Sequence, residues 1–187
     1  NTIVDAIEHG LSLAKRRGRA LSRYGLGKGP FMLLTLHRQE NVDNGKRLKD
    51  ILRGIDKVAK KAGMPVIFPI HPRTVKKFRD FGIRPPGTLR IVDPSGFLDF
   101  LQMEEAAELI LTDSGGVQEE ACVMKVPCVT LRDSTERPET VKAGANVVAG
   151  VRPAPSAAAA ERMLAKKRKW KNPLGNGDSG SRIMEIL

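Results

Sequence analysis

Short apolar runs alternate with longer segments of helical period along the whole chain, and this alternation leaves few folds open. Phe31-Met32-Leu33-Leu34-Thr35-Leu36 is one continuous run, the mark of a strand buried on both faces. Similar short runs stand at 66–70, 89–92, 109–112, 128–131 and 146–148. Pro69 has no N–H to donate, so pairing is expected to end near it. Between the runs the period changes. Ile3, Ile7, Leu11 and Ala14 predict a helix over 2–23, with Gly25 as a stop. Leu48, Ile51, Leu52, Ile55 and Val58 predict another over 46–62. Further helices are expected at 73–81, 97–105, 115–123, 138–143, 156–169 and 179–187, with Ser156 as a candidate cap after Pro153-Ala154-Pro155. Strands separated by helices predict an α/β fold: a Rossmann-like parallel sheet, covered by helices on both faces and joined by right-handed crossovers.

The chain has 187 residues, enough for one large domain that buries about 70% of its unfolded surface. No stretch reads as a domain linker, so residues 1–187 are expected to form a single domain. The hydrophobic fraction of 41% and charged fraction of 28% exclude a disordered or collagen-like chain. No apolar run approaches the roughly 18 residues of a membrane span, and no export signal opens the chain. Asn1 is not a methionine, which predicts a processed or excised segment. Cys122 and Cys128 have no nearby histidine, so they predict small buried residues of a reducing, cytoplasmic compartment and no metal site.

The net charge is +11, and it is uneven. Residues 1–90 hold 20 basic and 7 acidic groups, whereas 91–187 hold 12 and 14. Basic clusters lie at Lys15–Arg19 and Lys166–Lys171. Such a balance suits an anionic partner, but it also suits a solvated surface near helix C-termini, which is the reading adopted for both clusters. With one Trp and one Tyr there is little to stack single-stranded bases, so no nucleic-acid partner is expected.

In a parallel α/β sheet, ligands bind beyond the carboxyl ends of the strands. The residues that follow the runs are His37-Arg38-Gln39-Glu40-Asn41, His71-Pro72-Arg73, Asp93-Pro94-Ser95-Gly96, Asp113-Ser114-Gly115-Gly116 and Arg132–Arg137. Two of the three histidines, several arginines and a Gly-Gly pair therefore fall on one edge, while His9 is expected to be an ordinary surface residue. Ser114 is a candidate N-cap and the two glycines permit close backbone approach. The helix start that follows fits either an anion site or an ordinary capped helix. No Gly-Lys-Ser/Thr follows, so it is not a Walker loop. The loop Gly25-Leu26-Gly27-Lys28-Gly29-Pro30 precedes its strand and so fails the dinucleotide fingerprint.

Three ordered motifs carry a resemblance: Leu36-His37-Arg38-Gln39-Glu40-Asn41, Thr112-Asp113-Ser114-Gly115-Gly116-Val117-Gln118-Glu119-Glu120-Ala121 and Arg132-Asp133-Ser134-Thr135-Glu136-Arg137-Pro138-Glu139. Together they resemble the non-hydrolysing UDP-N-acetylglucosamine 2-epimerases, and Asn1-Thr2-Ile3-Val4-Asp5-Ala6 resembles the start of that family's second half. Leu36 stands where the family often has glycine. The resemblance implies one half of a GT-B-type two-domain fold, with the N-terminal domain absent.

It also implies interconversion of UDP-N-acetylglucosamine and UDP-N-acetylmannosamine by elimination and re-addition of UDP, in polysaccharide biosynthesis. No cofactor and no metal are implied. Matched motif to motif, Ser114, Gly115 and Gly116 would hold the diphosphate, Glu120 would accept from the ribose hydroxyls, and Arg137 would help neutralise the phosphates. His37 would face the leaving UDP as the catalytic residue, with Arg38 beside it. Phe100 lies either beside the uracil or in the core. His71 is either near the nucleotide or structural, and Glu40 either works on the substrate or orders its loop. The acid/base carboxylates would lie in the missing domain, so the isolated chain is expected to be inactive. Implied partners are UDP-N-acetylglucosamine and UDP, the N-terminal domain and a second copy in a homodimer, with no membrane partner. The alternative is the donor-binding domain of a GT-B glycosyltransferase.

Overall fold

Side chains on successive strand positions point to opposite faces, and here both faces are apolar. In the computed structural model, which describes residues 1–27 and 29–186, Met32, Leu34, Val66, Phe68, Leu109, Leu111 and Val129 line one face. Leu33, Ile67, Ile110 and Cys128 line the other. The strands are β1 Met32–Thr35, β2 Val66–Pro69, β3 Leu89–Val92, β4 Leu109–Thr112, β5 Cys128–Thr130 and β6 Asn146–Val148. All pair in parallel, in the order β3-β2-β1-β4-β5-β6. This is the Rossmann-like α/β sheet expected from the pattern. Pro69 is the last residue of β2, but pairing with β3 does not end at it, since Ile70 N–H still donates to Val92 O (3.1 Å).

The helices are α1 Thr2–Arg17, α2 Ala20–Arg23, α3 Gln39–Val42, α4 Gly45–Ala62, α5 Pro72–Asp80, α6 Phe97–Ala106, α7 Gly115–Val123, α8 Pro138–Lys142, α9 Pro153–Leu164 and α10 Ser179–Ile186. Helices α4 and α9 cover the first face, and α2, α6 and α7 cover the second, with α1 packed on α6. Each fully buried Leu, Ile or Phe contributes about 1.5–3 kcal/mol of transfer free energy. The α4–α9 contact depends on small residues. A Cβ on Gly54 would lie 2.3 Å from Ser156 Oγ, and Ala157, Ala159 and Ala160 are buried beside it.

Three further expectations need correction. The first helix is broken: Gly18 is extended (φ −69°, ψ 141°), and α2 starts anew at Ala20. Gln102 holds the break open, its Nε2 donating to Ala14 O and its Oε1 accepting from Ala20 N. A Cβ on Gly18 would lie 2.4 Å from that side chain. Ser156 is not a cap. Helix α9 begins at Pro153, where the missing N–H costs nothing, and Ser156 lies inside it, donating to Arg152 O. The helix also ends at Leu164, so Lys166–Lys171 follow it in irregular chain, where Trp170 is buried and donates Nε1–H to Cys122 O. The first basic cluster does sit in the last turn of α1. Lys28 in the expected loop and Leu187 in the expected last helix lie outside the described residues.

Cys122 and Cys128 are buried and free. Burial pushes the Cys122 thiol up to about 11 and the Cys128 thiol higher still, so both remain unreactive thiols. No described helix is long and apolar enough to cross a membrane.

Candidate active site

The strand order reverses between β1 and β4, so the crevice beyond their carboxyl ends is the switch point where ligands of this fold bind. Thr35 and Thr112 end these strands side by side, their hydroxyl oxygens 2.6 Å apart. The next residues are His37 and Arg38 on one side and Asp113 and Ser114 on the other.

Asp113 organises the crevice. It has no exposure and accepts from His37 N–H (3.1 Å), Arg38 N–H (3.0 Å) and Asn41 Nδ2 (3.2 Å). Its Oδ1 also lies 3.1 Å from His37 Nδ1. A ring that donates from Nδ1 keeps Nε2 available, and the His37 side chain is half-exposed. A buried aspartate thus orients a solvent-facing histidine. Asn41, itself buried, adds a bond to Leu131 O and accepts from Arg47, tying the turn after β1 to the end of β5.

Helix α7 starts at Gly115, beside this pair. Ser114 occupies the cap position, but its side chain makes no capping bond, contrary to the expectation for a serine there. Its N–H instead donates to Thr112 Oγ1 (2.9 Å). The first N–H groups of α7 therefore point their partial positive charge toward the crevice without an internal side-chain cap. Gly116 leaves open space: a Cβ there would meet nothing nearer than Ser114 Oγ at 4.0 Å. Gly115 is covered instead, since a Cβ there would lie 2.6 Å from Glu136 Oε1.

The loop after β5 brings charge to the same place. Arg132 donates to Glu40 Oε1 (2.9 Å) and Glu136 Oε2 (2.5 Å), while Arg38 Nη2 donates to Glu136 Oε1 (3.0 Å). Burial alone would raise the Glu136 carboxyl. Its own backbone N–H and the Arg132 and Arg38 guanidiniums outweigh that and hold it below the ordinary carboxylate range. Gln118 fixes the loop from below, accepting from Thr135 Oγ1 (2.5 Å) and Asn146 Nδ2 (3.1 Å). Arg137 lies 3.0 Å from Glu119, which also accepts from Asn1 Nδ2 (2.8 Å). Glu120 is half-buried one residue on, and burial raises its carboxyl.

Of the sequence candidates, His37, Arg38, Glu40, Ser114, Gly115, Gly116 and Arg137 thus gather around the β1/β4 crevice. Glu40 serves as a partner of Arg132, which agrees with its loop-ordering alternative. His71 stands apart: its Nδ1 accepts from Arg73 N–H (3.2 Å), capping α5. Phe100 is partly buried and packs against the cluster covered by α6 and α7. Sequence reasoning assigned no role to Asp113, Asn41, Gln118 or Arg132. The available signal was a set of polar residues at the ends of otherwise apolar strands. Among the described residues, no group of three or more His, Cys, Asp or Glu side chains is placed to hold a metal ion.

The family model for UDP-N-acetylglucosamine 2-epimerase matches residues 1–187. The chain belongs to the UDP-N-acetylglucosamine 2-epimerase family. It is 51% identical to the UDP-N-acetylglucosamine 2-epimerase of Methanocaldococcus jannaschii, over all of this chain and 53% of that enzyme. It is 39% identical to the UDP-2,3-diacetamido-2,3-dideoxy-D-glucuronate 2-epimerase of Pseudomonas aeruginosa, over 90% of this chain and 48% of that protein. The crystal structure of the M. jannaschii epimerase in complex with UDP-GlcNAc and UDP superposes with a TM-score of 0.92 at 50% identity, covering all of this chain and 53% of that one. The Neisseria meningitidis epimerase bound to UDP-GlcNAc superposes at 0.85 with 29% identity, over 100% and 53% of the two chains. These epimerases are of GT-B type, and this chain corresponds to about half the length of each.

Proposed function

We propose that this chain forms the nucleotide-binding half of a UDP-N-acetylglucosamine 2-epimerase. The observation that carries the reading is the His37–Asp113 pair beside the uncapped start of α7. It joins an oriented histidine to a ready anion site in one crevice. The epimerase structures that hold UDP-GlcNAc share this fold at high similarity, which supports the same ligand class here.

In this reading Ser114, Gly115 and Gly116 hold the diphosphate at the helix start. Arg137 and Arg38 add positive charge, and Glu40 steadies Arg132 beside them. Glu120 accepts from the ribose hydroxyls and Phe100 stacks beside the uracil. His71 serves the edge of the site through the α5 cap. The reaction removes the sugar C2 proton and breaks the C1–O bond, so that UDP leaves with the electron pair and a 2-acetamidoglucal remains. UDP then adds back at C1 while C2 is reprotonated on the other face. His37 stabilises the departing phosphate, where negative charge develops, with Asp113 holding the ring in place. The C2 proton is handled by carboxylates of an N-terminal domain, so the substrate-competent site needs that domain. No cofactor or metal enters the reaction. A homodimer, a cytoplasmic location that keeps Cys122 and Cys128 reduced, and a place in polysaccharide biosynthesis complete the proposal. Neither nucleic acid nor a membrane is a partner.

Calorimetry tests the nucleotide site. Arg137→Ala should weaken UDP binding by roughly 1.5–3 kcal/mol, whereas the remote Lys167→Ala should leave it nearly unchanged. Equal losses would reject the placement. Deuterium incorporation at C2 tests the chemistry. The chain of 187 residues should not catalyse exchange on its own. A two-domain protein should do so without any acceptor sugar, and His37→Ala there should lower kcat more than it raises KM. Turnover only with an acceptor would favour a GT-B glycosyltransferase instead.

A further inference from the structure

Glu104 has no part in the site as described, yet its carboxyl is buried without a partner. It lies on α6 with no solvent exposure, and neither carboxyl oxygen has a hydrogen-bond donor among the described residues. A carboxylate in such a place is costly unless a cation or several donors meet it. No cation does. Helix α7 packs against α6, and the ionisable group that acts most directly on Glu104 is another acid, Glu120 of α7. Glu119 adds its charge to Glu120 from the same helix, and Arg137 pairs with Glu119. Cys128 of β5 is buried in the cluster that α6 covers. Helix α1 packs on α6 through Val4, Ile7, Gly10 and Ala14, and α2 presents Ala20, none of them ionisable. Lys15 reaches the neighbouring Glu105, not Glu104.

Two carboxyls in contact away from cations cannot both be ionised, and the fully buried one keeps the proton. Burial first, then the charge of Glu120, pushes Glu104 well above the ordinary carboxyl range. A neutral carboxyl is a donor, and Glu120 is the acceptor within its reach. We propose that Glu104 is a positioning residue: as a neutral acid it donates a hydrogen bond to Glu120 and holds that carboxylate ready to accept a vicinal diol of the ligand. The proposal rests on the reading of Glu120 as the ribose acceptor. One oxygen of Glu120 is engaged from inside, which fixes the plane of the carboxylate. Glu120 is only partly buried, which leaves its remaining lone pairs to the ligand.

The measurement is the ratio of affinities for UDP and 2′,3′-dideoxy-UDP, by calorimetry on the full chain. The wild type should prefer UDP at least about tenfold, the value of hydrogen bonds to a charged acceptor. Glu120→Ala should abolish the preference. If it does not, the ribose reading itself fails, whatever Glu104 does. Glu104→Leu should reduce the preference to about that of Glu120→Ala, while affinity for pyrophosphate stays the same. Glu104→Gln, whose amide still donates, should keep the preference within about threefold. A full preference in Glu104→Leu, or an equal loss in Glu104→Gln, overturns the proposal while leaving the role of Glu120 intact. The pH series supplies a readout that packing alone would not move. As pH rises and Glu104 loses its proton, the wild-type preference should decline, and Glu104→Gln should remain flat. If Glu104→Leu does not fold, this series decides alone, and parallel profiles would refute the idea.

Discussion

The two ends of the sheet are built from the same strands and differ in nearly every other respect. At the amino ends the chain enters through Pro30, Pro65 and Pro127, and Met32 and Ile110 donate to the carbonyls of Pro65 and Pro127. A depression of about 340 Å³ opens there, lined by Gly25, Leu26, Phe31, Gly63 and Ile67, and Arg90 is its one charged side chain among the described residues. At the carboxyl ends a comparable depression of about 510 Å³ opens beyond β2 and β3. The buried polar network lies one strand further in, where Asp113, Asn41 and Thr112 have no exposure. Volume therefore does not separate the two ends. Chemistry does: one end is sealed by residues that lack N–H groups, and the other retains uncompensated donors and an oriented histidine.

Removing Asp113 should break this contrast most strongly. Asp113→Ala leaves two backbone N–H groups and the Asn41 amide facing an empty site. The expected loss is about 3–5 kcal/mol, measured by urea unfolding. A loss under about 1 kcal/mol would mean that water replaces the carboxylate and that the network is not structural. Gly116→Ala sharpens the contrast by separating folding from binding. Its Cβ enters open space, so stability should hold or rise by up to about 1 kcal/mol, as for other permissive glycine-to-alanine changes. UDP affinity should nevertheless fall at least about tenfold, because the methyl occupies the anion's place. Unchanged affinity would move the diphosphate away from this turn.

The Glu136 cluster gives a smaller effect with a defined sign. Its folded value is depressed, so its contribution is present above the unfolded value of ~4.3 and is lost as pH falls through the folded value. The stability difference between wild type and Glu136→Gln should therefore exist at neutral pH and vanish in acid. Its size should stay below about 1 kcal/mol, because the side chain is 38% exposed and solvent screens the pair. A difference that grows on acidification would reverse the assignment. Arg90→Ala, at the amino end, should change stability by no more than about 0.5 kcal/mol and leave UDP affinity untouched. A loss of UDP affinity in that variant would make the sealed end the binding end.

The strand positions were legible because burial on both faces leaves an unbroken apolar run, and the site edge followed because ligands in this fold sit beyond the strand ends. His37, Ser114 and Arg137 could be selected on that basis alone. The His37–Asp113 contact could not, since 76 residues separate the pair. It exists because β1 and β4 are neighbours, which no local pattern encodes. Ser114 misled for a related reason. Serine before a helix usually caps it, but here its side chain leaves the helix start uncapped. Gly18 falls inside the expected helix because the spacing from Ile3 to Ala14 is extended to Gly25 as the stop. Contacts with Gln102 and Asp99 of α6 take up the backbone groups at the break.

By itself the sequence determined the α/β class, the positions of six strands and the edge that carries the polar residues. Periodicity records burial, and burial on both faces of a strand or one face of a helix is a local property of consecutive residues. Tertiary structure alone decided the order of the strands, the aspartate behind His37, the break at Gly18 and the meeting of Glu104 with Glu120. Each depends on which surfaces close on one another across long stretches of chain. There the cost of leaving a polar group buried and unpaired, rather than any local preference, selects the partner.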